Sequence, residues 1–422
     1  MKVEQWAKKE VTRQDRTRLR ELTERVAEIA AGEETRERIR LWSKHNRLAG
    51  ERPMILVFPE GGWREILPDL DTRLLCRDPD LRPLEESLLK QIYTREHFKS
   101  DNVVDAYIPV RKTIHHSGWG LQEEWEYSDM EAGARAFKPV LKDRSDLDRL
   151  HFPVVSHDED ASRAEFEFYQ ELLGDLLTVR LVGVQHVSFH LYNQFTAWHG
   201  LEQTFLDLIV EPAFVHDALS LLRDGHQRMI DQYIQQDLLD LNNDNTYQST
   251  GGNGWTDELP PPDCDPRHVR PRDMWASAET QEFAPVSPAM HEEFALAYER
   301  PLLEPFGLTG YGCCDPLHDK LDMVLSIPNI RRISVSPSAD VDKTAERLGN
   351  RAIFSWKPQP AHLVGDFDDG HIRGYLDHTI EVCRSCGCTL EIILKDTHGC
   401  DKHPERFDRW SAIASEAINR KA

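Results

Sequence analysis

The chain has 422 residues, enough for one large domain or two, and 40% hydrophobic with 29% charged residues is the balance of a globular protein rather than a disordered one. Acidic residues number 73 against 51 basic, a formal charge of -22 that repels nucleic acid and anionic membrane surfaces. The opening MKVEQWAKKEVTRQDRTRLREL has no apolar stretch of signal-peptide length, and no run of about 18 apolar residues occurs anywhere, so the expected location is the cytoplasm.

From Asp15 to about Ala31, Leu19, Leu22, Val26 and Ile29 recur at helical spacing on a charged segment, and a second charged helical stretch follows. Residues 1–50 therefore read as an amino-terminal helical extension, and 51–422 as the catalytic domain. ERPMILVFPE turns apolar over 54–58 and stops at Pro59, the pattern of a short buried strand. Similar runs lie at 103–108, 179–184, 238–241, 308–312, 332–335, 352–355 and 390–394. Helical patterns separate them. In 211–234, Val215, Leu219, Leu222, Met229 and Tyr233 share a face, and Ser287-Pro288 opens another helix over 287–303.

Alternating strands and helices imply parallel strands with crossover helices, and eight strands close without an edge. The predicted fold is a (β/α)₈ TIM barrel. Residues 60–177 hold too much chain for one or two βα units; HHSGWG and EEWEY read as hairpin or loop, an insertion over the barrel mouth. Residues 251–271, with GGNGW and ELPPPDCDP, form a long loop of the kind that serves as a lid or binding loop. The tail from Pro404 is a closing helix with Phe407, Trp410, Ile413 and Ile418 inside.

Eight cysteines are too few for a disulfide scaffold, and adjacent Cys313 and Cys314 would pair awkwardly, so reduced thiols or metal ligands are expected. CRSCGC ends an amphipathic helix with Gly387 at C′ and reads as packing.

Barrel enzymes place their chemistry where strands end. Those positions hold Glu60, Arg111, His186, His190, Asn242, Asn243, Asp244, Cys313, Cys314, Asp315, His318, Ser336, Lys357, Lys395, Asp396, His398 and Cys400. In YGCCDPLHDK, two thiols, a carboxylate and an imidazole offer ligands suited to zinc. Adjacent cysteines do not easily share one ion, so one of them with His398 is expected to hold it; simple packing of two small residues is the other reading. Asn242, Asn243 and Asp244 either bind substrate hydroxyls and move protons or cap a turn. Lys357 and Lys395 suit an anionic group or acid catalysis, while Glu60 and His190 are single residues that hydrogen bonds within the fold explain better. No G-x-S-x-G elbow, P-loop or dinucleotide fingerprint is present.

Over about 177–420, the chain resembles the uroporphyrinogen decarboxylase superfamily, which includes zinc-dependent corrinoid methyltransferases. AERLGNRAIFSWKPQPAHL is similar to the family's helix ending in Leu-Gly, strand and Asn-x-x-Pro-like turn, and LKDTHGCDKHPERF to its closing Gly-His-Gly…Pro segment. In the methyltransferase branch, a His-x-Cys-Gly motif and a late cysteine hold zinc. On that pattern Cys313 takes the cysteine position, Tyr311 stands where the histidine would be and His398 takes the late position, with Cys314, Asp315 or His318 as substitutes for the missing ligand. YGCC also resembles a decarboxylase-like bacterial branch with Tyr-x-Cys-Cys-Glu. The Arg-Gln-Ala-Gly-Arg motif of true uroporphyrinogen decarboxylases is replaced here by RPMILVFPEGGWRE, which argues against a porphyrinogen substrate.

The resemblance implies a methyltransferase moving a methyl group from a small donor, such as an aryl methyl ether or methylamine, to a corrinoid protein or a thiol. Zn²⁺ would sit near Cys313 and His398. Asp244, Asp396, Lys357 and Lys395 would do catalytic work, and Glu60, Arg111, His190, Asn242 and Tyr311 would meet substrate. The alternative is a decarboxylase or lyase in which Lys357, Lys395 and Arg111 grip carboxylates and Asp244 stabilises a transient cation. A third possibility is an idle barrel that only binds a ligand. A homodimer is common among such relatives, and neither nucleic acid nor membrane is an expected partner.

Overall fold

Every residue of MILV, WASA, LTGY, IFSW and TLEIIL is buried, and these short runs are strands of the main sheet. In the computed structural model, residue 6 and residues 9–68, 70–127 and 135–420 are described; the first five residues, part of the amino-terminal segment read above, lie outside them. In chain order the strands are β1 (Met54–Val57), β2 (Tyr107–Arg111), β3 (Thr113–His116), β4 (Glu124–Tyr127), β5 (Arg135–Lys138), β6 (Val155–Asp158), β7 (Thr178–Val182), β8 (Ser188–Phe189), β9 (Trp275–Ala278), β10 (Leu308–Tyr311), β11 (Ile330–Val335), β12 (Ile353–Trp356) and β13 (Thr389–Leu394).

Seven of these form one sheet in the order β1-β13-β12-β11-β10-β9-β8, with every neighbouring pair parallel. β2 pairs with β7, also in parallel. Two antiparallel pairs, β3 with β6 and β4 with β5, carry the segment read as hairpin or loop. Single contacts link the two parallel groups. Asp101 N donates to Ile55 O at 2.7 Å, and Ile55 N to Asp101 Oδ2 at 2.8 Å. On the other side, Val184 bridges Leu239, and Asn242 is bonded to both Gln185 O and Trp275 O. Among the described residues, no closed ring of strand ladders forms.

The predicted runs at 54–58, 179–184, 308–312, 332–335, 352–355 and 390–394 fall on strands. The run at 103–108 is strand only from Tyr107, because the chain just before it is held against β1 through Asp101 and Asn102. The run at 238–241 makes one bridge and no strand. β8 and β9 are additions; β8 is only two residues long, and β9 is a run of small residues emerging from a long loop.

Helices follow the expected periodicity. Arg13–Ala31 is capped by Thr12, whose Oγ1 accepts from Asp15 N, and it buries Leu19, Leu22, Val26 and Ile29. These pack with Leu88, Ile108, Leu172 and Val179, so the amino-terminal helix covers the β2–β7 pair with a core of its own. Pro212–Gln235 buries Val215, Leu219, Leu222 and Tyr233 against the main core. Glu405–Arg420 buries Phe407, Trp410, Ile413 and Ile418 there too. Among the described residues, no helix is long and apolar enough to cross a membrane.

The loop expected as a lid is not one at its start. Residues 250–254 are buried. The Thr250 carbonyl accepts from Lys357 Nζ and, at 3.2 Å, from Ser355 Oγ. Gly251 and Gly252 hold φ of +131° and +63°; a Cβ on the first would lie 2.0 Å from Ser355 Oγ, and on the second 2.5 Å from Arg332 Nη2. This segment crosses the side chains of β11, β12 and β13.

Candidate functional site

The sheet delivers polar groups to one end. After β8 comes His190, after β9 Glu279 and Glu282, after β10 Cys313 and Cys314, after β13 Lys395 and Asp396, and after β1 Glu60.

Its centre is a hydrogen bond of 2.5 Å between His190 Nδ1 and Glu279 Oε1. Burial disfavours the His190 cation, but the Glu279 carboxylate outweighs it and raises the imidazole above its usual range. For Glu279 burial pushes upward, while His190, the Cys313 thiol and Lys395 hold the carboxyl below its usual range. Glu282, three residues on, is raised by burial and by the Glu279 charge. The two carboxyls are thus shifted in opposite directions.

Cys313 and Cys314 complete this side, with Sγ···Sγ 3.6 Å. Cys314 is exposed; Cys313 is half-buried. The thiol of Cys313 is pushed up by its bond with Cys314, by burial and by Glu279, while Cys314 is lowered by that same bond and, further off, by Lys395. Lys395 Nζ lies 3.4 Å from Asp396 Oδ1 and 5.8 Å from the centre of the Tyr247 ring. Burial works against its charge, but Tyr247, Asp396, Cys313 and Glu60 outweigh it and raise the ammonium. Glu60 accepts from the Asp396 backbone N–H and is raised by burial and by the Asp396 charge. Glu60 and Asp396 both adopt left-handed backbone, φ +47° and +57°, a conformation costing non-glycine residues about 1 kcal/mol or more and frequent at working sites. Beside Glu60 opens a cleft of about 510 Å³ lined by Phe58, Trp63, Lys90, Asn102 and Asn245.

Other predicted site residues are placed elsewhere. Lys357 is buried, and its ammonium donates to Thr250 O, Ser334 Oγ (2.7 Å) and Ser355 O (3.2 Å); burial pushes it down to about 7. With its donors taken by the protein, it holds the loop rather than an anion. Asn242 is fully buried and bonds only backbone, Gln185 O, Trp275 O and Trp275 N, so it joins strands and meets no substrate. Tyr311 is also fully buried; its hydroxyl donates to Glu299 Oε2 at 2.6 Å and lies 2.7 Å from His291 Nε2. Burial pushes Glu299 up to about 7.

Asp244 belongs to a separate cleft of about 350 Å³ with Asp105, Tyr107 and Arg180, where Tyr107 OH donates to Oδ2 at 2.8 Å and Thr246 N to Oδ1 at 2.9 Å. Arg111 ends β2 as an exposed side chain. His318 turns its Nδ1 to Asp340 N at 3.3 Å, and exposed His398 lies near Glu60. Among the described residues, no three His, Cys, Asp or Glu side chains are grouped so as to hold a metal ion. Cys313, Cys314, His318 and His398 therefore do not fit the four-ligand demand of zinc, because His318 faces the Asp340 turn and His398 the Glu60 side.

Sequence reasoning missed Glu279, Glu282 and Tyr247. The signal for the first two was WASAET, a buried run followed by a carboxylate, hidden because the run is composed of small residues.

No family model matches the sequence, and no curated protein matches it. Among solved structures, the chain is similar to a methyltransferase from Methanosarcina mazei at 12% identity, over 89% of this chain and 97% of that one, with a TM-score of 0.49. A likeness of that degree carries no argument about activity.

Proposed function

We propose that the chain is a methyl-transfer enzyme acting on a small methylated donor, such as an aryl methyl ether or methylamine, with a thiol or a corrinoid carried by a partner protein as acceptor. One observation carries the reading: at the strand ends, one buried carboxylate, Glu279, bonds both an imidazole, which it raises above its usual range, and the first of two paired thiols. In methyl transfer the acceptor, a reduced corrinoid or a thiol that has given its proton to solvent, bonds to the methyl carbon while the bond from carbon to the donor heteroatom breaks. The electron pair stays on the heteroatom, which needs a proton. His190 supplies it, and Glu279 stabilises the cation until then. Lys395, Asp396 and Glu60 bind and orient the polar end of the donor. No step runs through zinc.

The rival reading, decarboxylation or lyase chemistry, asks Lys357, Lys395, Arg111 and Asp244 to act together. Only Lys395 stands in the cluster, which favours methyl transfer. In this reading β1, β2, β7 and β9 to β13 are the eight strands of a (β/α)₈ barrel, closed through the contacts at Asp101, Leu239 and Asn242, and the enzyme works in the cytoplasm, as a homodimer.

The test is transfer of an isotopically labelled methyl group from aryl methyl ethers and methylamines to a thiol or to reduced cobalamin, read by mass spectrometry. His190→Gln and Glu279→Gln are expected to lose most of it, on the order of 100-fold for loss of a general acid. Wild-type rates in His190→Gln, or release of carbon dioxide from a carboxylated substrate without methyl transfer, would overturn the proposal.

A further inference from the structure

Adjacent residues on an extended chain point their side chains to opposite faces. Cys313 and Cys314 do not, since their sulfurs converge to 3.6 Å. The turn that brings them together is fixed at three points. Gly312 holds φ +89°, a conformation that favours glycine, and a Cβ there would lie 2.5 Å from Leu317 Cδ1. The Cys313 N–H donates to Asp315 Oδ1 at 3.2 Å, and its carbonyl accepts from Ser334 Oγ at 2.6 Å. Both Asp315 and Ser334 are buried. The pair is thus preorganised, with Cys314 open to solvent.

Adjacent cysteines do not easily share one ion, but here the two sulfurs already lie 3.6 Å apart on one side of the turn. Among the described residues, no third His, Cys, Asp or Glu is grouped with the pair so as to hold a metal ion. That excludes a centre needing three or four protein donors and suits one needing two, held at an angle well short of linear. A vicinal disulfide is the less natural product, because neighbouring Cα atoms are about 3.8 Å apart, shorter than disulfides span.

We infer that Cys313 and Cys314 form a two-thiol site for a trivalent arsenic centre carrying one organic group. Arsenic(III) is thiophilic and pyramidal. Two of its bonds go to the thiols and the third to the organic group, which points to the solvent side where Cys314 is exposed. With an organoarsenic oxide, two As–S bonds form and the arsenic–oxygen bonds break. The two thiol protons leave with the oxygen as water, and nothing is oxidised or reduced. The ammonium of Lys395 favours loss of the Cys314 proton.

The experiment is titration of the folded chain with phenylarsine oxide, followed by intact-mass analysis and alkylation mapping. One phenylarsenic group per chain is expected, surviving excess monothiol, removed by a small dithiol, and protecting Cys313 and Cys314 from iodoacetamide. Cys314→Ser, at an exposed position, loses the adduct, while the double variant Cys383→Ser, Cys388→Ser, which removes a second pair of thiols bonded to each other, keeps it. No adduct on the native chain, an adduct that persists in Cys314→Ser, or protection that maps to Cys383 and Cys388 would each overturn the assignment. The mapping on unaltered protein decides the matter even if a variant misfolds, and none of these readouts depends on methyl transfer.

Discussion

Replacing Glu391 by Gln breaks a fully buried ion pair. Glu391 Oε1 lies 3.0 Å from Arg332 Nε, with both side chains fully buried. At an effective dielectric of about 20, that separation corresponds to about 5 kcal/mol of attraction. Removing one partner strands the other in the interior, at a cost of about 3–5 kcal/mol. Arg332 Nη2 keeps its bonds to Asn46 Oδ1 (2.7 Å) and Asn253 O (3.1 Å), which places the expected loss near the lower end, about 3 kcal/mol.

Urea unfolding followed by tryptophan fluorescence reads it. With a slope of about 3 kcal/mol per molar, the midpoint falls by about 1 M. Burial opposes the Glu391 charge, but Arg332 and His45 outweigh it and hold the carboxyl down to about 2. A depressed carboxyl contributes stability present above its unfolded value of 4.5 and lost as the pH falls towards 2. The wild type loses stability over that window, and Glu391→Gln does so less. Replacing Arg332 and Glu391 together by Met recovers most of the loss. A midpoint shift below about 0.3 M for Glu391→Gln at neutral pH, with an unchanged slope, would refute the reasoning.

Lys357, held by burial at about 7 against an ordinary 10.5, gives a slope of the same sign at higher pH: the unfolded chain binds the proton more tightly, so stability rises as the pH climbs from 7 to 10.5. Lys357→Met is expected to flatten that rise in urea titrations. Glu299, raised by burial to about 7 from 4.5, makes the folded chain the better proton binder, so stability falls between those values. Glu299→Gln removes that fall, and an unaltered slope would count against a buried neutral carboxyl. Glu279→Gln is expected to lower the titration midpoint of His190 measured by NMR, because the charge that raises it is gone; an unchanged or higher midpoint would refute the pairing.

The parts of the fold legible in the sequence are those set by local periodicity. Leu19, Leu22, Val26 and Ile29 mark their helix at a glance, and MILV and TLEIIL are buried on both faces, which makes them continuous apolar runs. β9 escaped because Ala276, Ser277 and Ala278 are small, and what makes them strand is pairing with β8 and β10, a non-local fact. The site shows the same division. His190, Cys313, Cys314 and Lys395 were legible as strand-end residues with chemistry. Tyr311 and Lys357 occupy similar positions along the chain, but only packing decides that one is sealed against Glu299 and the other against Thr250. The expected zinc ligands were close in sequence or matched by resemblance, and neither relation fixes where a side chain points.

The glycine-rich stretch after Thr250 has the composition of a place where a chain is readily cut or lengthened. Its backbone instead occupies space among Arg332, Ser355, Lys357 and Glu391, with no room for a single added carbon. A protease or an inserted domain would find better access at Gly118, where nothing lies within 4 Å of an added Cβ.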